Sequence, residues 1–287
     1  MAVQAPARTI EEEVRNSSTM LRSLRQLFER QESAPPAAEV PAGLRVYAIG
    51  DIHGRLDLFE AMIAAVEADD AAGAPADTTV ILLGDLVDRG PDSAGVVARA
   101  RDWRRQRNVR ILQGNHEEMF LSSFDDADTL RHFLRFGGKE TVLSYGIDPE
   151  AYLHASVEEV QQMMHEAISP DERAFIAGFE DMIAIGDYLF VHAGILPEQP
   201  LDEQKPRHLR WIREPFLSHS EPHGAVVVHG HTITDEPQDR GNRIGIDTGA
   251  YMSGRLTALV LEGTDRRYLE AVDDGGAITA AARELAA

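Results

Sequence analysis

The chain has 287 residues, 43% of them hydrophobic, and its 28 basic and 48 acidic side chains give a formal net charge of −20. It contains no cysteine, which excludes disulfides, zinc–thiolate sites, iron–sulfur clusters and thiol nucleophiles, so any metal must sit on His, Asp, Glu or Asn. No apolar run approaches the ~18 residues of a membrane span, no secretory leader is visible, and so acidic a chain repels nucleic acid and anionic membranes at long range.

The expected address is therefore cytoplasmic, with neither a nucleic-acid nor a membrane partner. Residues 1–33 read as a separate element. Thr9 and Glu12 fit a capping box, and Ile10, Val14, Leu21, Leu24 and Phe28 recur at helical spacing. A Pro/Ala linker, SAPPAAEVPAG, follows over 33–43. The expected domains are 1–43, a helix plus linker, and 44–287. The helix would dock on its own domain, or serve self-association or a partner.

From Leu44 the chain alternates. LRVYAI reads as a strand and 55–67 as a helix, TTVILL as a strand and 93–105 as a helix, and VRILQ as a third strand. The βαβαβ order predicts a parallel sheet with right-handed crossovers. Residues 117–180 read as mostly helical. FGGKET within them lacks the first Gly and the Ser/Thr of a phosphate loop. Beyond them DMIAIG, DYLFVHAG, AVVVHG, NRIGID, LTALVLEG and RRYLEAV are β-rich, and several read as antiparallel strands joined by short turns.

Chemistry-bearing residues recur where the strands stop. LRVYAI leads to Asp51 and His53 between two glycines. TTVILLG leads to Asp85, VRILQG to Asn115 and His116, DYLFV to His192, and AVVVHG to His231. Ligands of α/β sheets bind beyond the carboxyl ends of strands, and the glycines let the backbone turn sharply there. Imidazoles and carboxylates suit first-row divalent metals. Asp51, His53, Asp85, Asn115, His192 and His231 are too many for one catalytic ion that keeps an open position. Shared through a bridging carboxylate, they suit two ions about 3.5–4 Å apart, the arrangement of two-metal phosphoester hydrolysis.

In this order GDIHG, GDLVDRG, GNHE, HAG and GHT resemble the motifs of the calcineurin-like metallophosphoesterases. More narrowly, they resemble the phosphoprotein phosphatase family in its bacterial, lambda-phage-type serine/threonine phosphatase branch. GGKETVLSYG (137–146), WIRE (211–214) and NRIGIDTGAYMSGRLTALVL (242–261) are similar to that bacterial group too. The resemblance implies an α/β fold, α+β in part: an αββα sandwich of two central mixed sheets flanked by helices, with a metal site at strand C-terminal ends.

The resemblance also implies roles. Asp51 and His53 would hold one metal, Asp85 would bridge, and Asn115, His192 and His231 would complete the second site, with Asn115 also facing substrate phosphate. His116 would be the general acid, oriented by Asp88. Arg89 would grip phosphate as a bidentate fork, held by Glu117, and Arg213 would be a second phosphate arginine. Apart from the resemblance, Tyr251 and Asp247 lie beyond another strand end and would line the site, and His229 would be a neighbour of His231. The implied ions are manganese first, iron or zinc otherwise. The implied reaction is direct attack of metal-activated water on a phosphomonoester, with a phosphoprotein or small phosphoester as substrate. A symmetrical diadenosine tetraphosphate hydrolase, a bis(5'-nucleosyl)-tetraphosphatase, shares these motifs, so fold and ligands do not separate the two. A non-catalytic phosphoprotein-binding scaffold is the third reading, and the complete ligand set argues against it.

Overall fold

The computed structural model describes residues 37–283; the helix expected within 1–33 and the start of the linker lie outside the described residues. The βαβαβ run comprises β1 (Leu44–Ile49), α1 (Leu56–Ala72), β2 (Asp77–Leu82), α2 (Ser93–Gln106) and β3 (Val109–Ile111). A helical block follows: α3 (Asn115–Ser122), α4 (Ala127–Phe133), a π-helical turn (Leu134–Gly138), α5 (Lys139–Ser144), α6 (Pro149–His154), α7 (Val157–Ala167) and α8 (Pro170–Ala177). Its helices start on local signals. Asp126 caps α4, Ser156 and Glu159 form a capping box on α7, and Ser169 before Pro170 opens α8. The remainder holds β4 (Met182–Ile185), β5 (Tyr188–Val191), α9 (Pro206–Trp211), β6 (Val226–His229), β7 (Gln238–Asp239), β8 (Arg243–Gly245), α10 (Ala250–Ser253), β9 (Arg255–Glu262), β10 (Asp265–Asp273) and β11 (Ile278–Arg283).

The strands make two mixed sheets, one of order β11-β10-β9-β1-β2-β3 and one of order β4-β5-β6-β8-β7. In the first, β1, β2 and β3 are parallel, as the alternating pattern predicts, and β9, β10 and β11 add antiparallel strands on the other side of β1. In the second, β4 and β5 pair antiparallel across a short turn, as β9 and β10 do in the first, in line with the expectation that several of these strands are antiparallel. β5, β6 and β8 run parallel, and only the flanking pairs β4–β5 and β7–β8 are antiparallel. The reason is the long excursion between β5 and β6, which includes α9 and returns the chain to the same end of the sheet.

Side-chain alternation along β1 sorts the layers. Val46 and Ala48 join Ile81, Leu83, Phe190, Val228 and Ile244 in a core between the sheets. Tyr47 and Ile49 face the other way, into a layer containing Phe59, Trp103, Phe120 and Phe133 from the helices. On the far face of the second sheet Val191 and Val227 pack against Leu209 and Phe216. The layers are therefore helices, sheet, sheet, and a thin outer cover. The end of the linker belongs to this body: Val40 is buried and donates its N–H to the Gly263 carbonyl at 2.9 Å. Arg45 is buried with its charge met by Glu262 and Asp70 at 2.8 and 2.9 Å, as a desolvated cation requires. No helix among the described residues is long and apolar enough to cross a membrane.

Phe120 on α3 is fully buried and touches the rings of Phe124, Phe133 and Tyr145. Phe120→Ala is expected to lower unfolding free energy by about 3–5 kcal/mol, read as an earlier midpoint in urea denaturation.

Candidate metal centre

The loops that leave β1, β2 and β3 of one sheet interlock with those that leave β5 and β6 of the other. The Asp85 carbonyl accepts the N–H groups of Ile52 and His53, and the His192 carbonyl accepts that of Gly230. The His231 N–H donates to the Asp51 carboxylate at 3.0 Å, which ties the two sheets together at this end. A Cβ on Gly230 would collide with that carboxylate, so glycine is required there. The backbone is strained where the site is built. Among the described residues, non-glycine positive φ occurs at His53, Asp85, Asp88, Arg89, His231 and Glu198, and all but the last are site positions. Such conformations cost about 1–3 kcal/mol each and persist only where the surroundings over-determine them.

The geometry converges on Asp85. Its Oδ2 lies 3.4 Å from His192 Nε2, 3.6 Å from His53 Nε2 and 3.9 Å from His116 Nε2. Two compact groups of buried potential ligands result, His53–Asp85–His116 and Asp85–His192–His231, with Asp85 common to both. Burial works to raise the Asp85 carboxyl, but the surrounding imidazoles of His192, His116 and His53 hold it well below the usual range. Burial lowers His53 to about 3 and His231 to about 2, so both imidazoles are neutral, the form that binds metal.

Tautomers are set from outside. His53 Nδ1 donates to the Val87 carbonyl and His192 Nδ1 to the Leu83 carbonyl, each at 2.8 Å, which turns both Nε2 atoms inward. The His192 Nε2 then meets two acceptors, Asn115 Oδ1 at 3.0 Å and Asp85 Oδ2 at 3.4 Å. His231 Nε2 is buried with no hydrogen-bond partner among the described residues. Acceptor facing acceptor is repulsive unless a proton or a cation lies between. This donor set, nitrogen and oxygen without sulfur, therefore fits divalent metal ions.

Asp51 is buried but stands outside both compact groups, bonded to the His231 N–H and beside Asp247. Burial, then the charges of Asp247 and Asp85, push its carboxyl well above the usual range. Asp247 itself is pushed up to about 6 by burial and by Asp85. A bound cation would relieve that crowding of buried carboxyls.

Beside the ligands, His116 Nδ1 donates to Asp88 Oδ2 at 2.5 Å. Asp88 Oδ1 accepts from the hydroxyl of buried Thr141 at 2.6 Å. Arg89 directs its N–H groups at His53 Nε2 and His116 Nε2, at 2.9 and 3.0 Å, and lies over the Tyr251 ring, 4.7 Å from its centroid. Tyr251 also meets the His53 ring edge-on. Arg213 is exposed at the rim, with a guanidinium nitrogen 3.5 Å from the His231 carbonyl. His229 turns to the outer layer, against Phe216 and toward Arg243.

One expected contact is not formed. Glu117 does not hold Arg89. Its carboxylate accepts backbone N–H groups of Asp85, Leu86 and Gly114 at 2.7–2.9 Å, so it braces the Asp85 loop instead. The reason is helical: Glu117 is the third residue of α3 and folds back onto the start of its own helix. The sequence pattern does not mark Thr141, Ser93 or Gly137, although Thr141 and Gly137 lie within GGKETVLSYG.

Residues 44–253 match the family model described as calcineurin-like phosphoesterase, and the chain belongs to that family of metal-dependent phosphoric ester hydrolases. The asymmetrical bis(5'-nucleosyl)-tetraphosphatase PrpE of Anoxybacillus flavithermus is 26% identical over 234 residues, 74% of this chain and 88% of that protein. Serine/threonine-protein phosphatase 1 of Salmonella typhimurium is 26% identical over 221 residues, 74% of this chain and 89% of that protein. A solved cold-active protein tyrosine phosphatase shares the fold, with a TM-score of 0.52 at 18% identity over 88% of this chain and 87% of its own.

Asp85→Ala removes the one carboxylate common to both groups. Metal bound per chain, measured by elemental analysis after loading, is expected to fall at least tenfold from the wild-type value. Wild-type stoichiometry in the variant contradicts the shared-ligand geometry.

Proposed function

We propose that the chain hydrolyses phosphate monoesters of alcohols, with serine/threonine phosphoproteins as the substrate class and manganese as the resident ion. The observation that carries this is the buried His116–Asp88 pair at 2.5 Å. An alkoxide leaves poorly unless its oxygen is protonated as the bond to phosphorus breaks. A nucleotide leaving from an anhydride is already a stable anion and needs that help less. A site with a dedicated, oriented acid therefore supports hydrolysis of an alcohol ester; the dinucleotide hydrolases share the motifs that carry Asp88 and His116, so the choice between the two rests on a comparison of substrates.

Asp51, His53, Asp85, Asn115, His192 and His231 would hold the ions, which supply positive charge at the phosphoryl oxygens and acidify a water nucleophile. Arg89 now spends its N–H groups on two imidazoles. A phosphate is the stronger, bidentate acceptor, so substrate draws the fork away and frees His116 Nε2 to carry a proton. Asp88 fixes the Nδ1–H tautomer and stabilises the imidazolium. His116 then gives its Nε2 proton to the leaving oxygen. Tyr251 supports the face of Arg89, and Arg213 at the rim supplies a second positive group near the phosphate. The net charge of −20 disfavours a tetra-anionic dinucleotide at long range.

The second reading is a dinucleoside tetraphosphate hydrolase. The name of the Anoxybacillus relative favours it, at the same identity and coverage as the Salmonella phosphatase. Substrate comparison separates the two. With manganese loaded, kcat/KM for a phosphoserine peptide is expected to exceed that for diadenosine tetraphosphate by about tenfold or more; the opposite preference overturns the phosphoprotein reading. Asp88→Asn is expected to cut kcat on the peptide by about 10²-fold or more with metal content unchanged. Loss of the metals would instead make Asp88 part of their support.

A further inference from the structure

We propose that Thr141 is a positioning residue for the general acid, and that α5 with the preceding turn sets the aim of His116 and Arg89 together. The inference rests on the general-acid reading of His116. Thr141 is fully buried. Its hydroxyl lies 2.6 Å from Asp88 Oδ1, accepts the Asp88 N–H at 2.8 Å, and is 2.9 Å from the Ser93 hydroxyl. Asp88 is itself wholly buried, so each carboxylate oxygen needs a donor. His116 Nδ1–H serves Oδ2, and Thr141 serves Oδ1.

A hydroxyl has one proton. Thr141 gives it to the carboxylate, so the Ser93 hydroxyl must donate to Thr141. The donors run in one direction, Ser93 to Thr141 to Asp88. With donors on both oxygens the carboxylate cannot rotate about its Cβ–Cγ bond, and His116 Nδ1–H has one direction to point. The opposite ring nitrogen is aimed in consequence. The same segment controls Arg89. Its N–H donates to the Gly137 carbonyl at 2.9 Å. Gly137 has φ of 109°, and a Cβ there would sit 2.6 Å from Arg89 Cγ.

A residue that only holds the fold together would slow all substrates alike. One that aims the acid matters most when the leaving group is poor. The test compares phenyl phosphate, a poor leaving group, with p-nitrophenyl phosphate, a good one, in manganese-loaded wild type, T141V, T141S and H116N. T141V is expected to lose about tenfold or more in kcat on phenyl phosphate and less than about threefold on p-nitrophenyl phosphate, with KM and metal content little changed. T141S, which restores a hydroxyl, is expected to recover most of the loss. Equal losses on both esters, or none, overturn the inference. H116N reports on the premise. If it discriminates between the esters and T141V does not, the Thr141 role alone fails; if H116N does not discriminate, the general-acid reading fails and this inference with it. Should T141V not fold, Ser93→Ala removes the donor to Thr141 and must show the same bias at about threefold; its absence overturns the inference.

Discussion

One carboxylate oxygen, Asp85 Oδ2, has three imidazole nitrogens within 3.4–3.9 Å. Such a cluster inside a protein is unfavourable for bare lone pairs and favourable for cations, and much of the surrounding structure keeps it in place. Glu117 clamps the Asp85 loop through its backbone. The Asp85 carbonyl in turn holds the loop after β1 that carries His53. The second ring of constraint, from Val87 and Leu83 to the Nδ1 atoms of His53 and His192, turns the Nε2 atoms inward. Without those bonds the rings could flip and the ligand geometry would be lost.

The two-sheet architecture explains why the candidate ligands follow five separate strands. Parallel strands present all their carboxyl ends at one edge. β1, β2 and β3 do so in one sheet and β5 and β6 in the other, and the apolar core between the sheets brings the two edges together. Strain concentrates at that junction, in the left-handed backbone of His53, Asp85, Asp88, Arg89 and His231. The strands behind it, buried over their last three residues, hold those residues in place. Stability in the core thus supports unfavourable conformations where the chemistry needs them.

The candidate ligands stand out in the sequence because each lies within a few residues of an apolar strand end, and all but His192 lie beside a glycine, a local pattern. The parallel half of the first sheet, β1 to β3, was legible for the same reason: strand and helix periods alternate there, whereas the placement of β9, β10 and β11 beside β1 was not. What local pattern does not carry is pairing across long separations. The parallel direction of β5 and β6 depends on how residues 192–225 cross over, and that of β8 on how 230–242 do. Thr141 reaches Asp88 from 53 residues away, across the helical block. Glu117 was assigned to Arg89, whereas the capping geometry of α3 spends it on backbone N–H groups. Asp247 gains its place beside Asp51 only when the loop after β8 meets the loop after β1.

The most direct measurement of the shared-carboxylate site is anomalous scattering from crystals grown with manganese. Two peaks about 3.5–4 Å apart, both next to Asp85, are the expected result. One of them should lie beside His53 and the other between Asn115, His192 and His231. A single peak, or two peaks with Asp85 touching only one, would contradict the dinuclear centre on which the proposed chemistry rests.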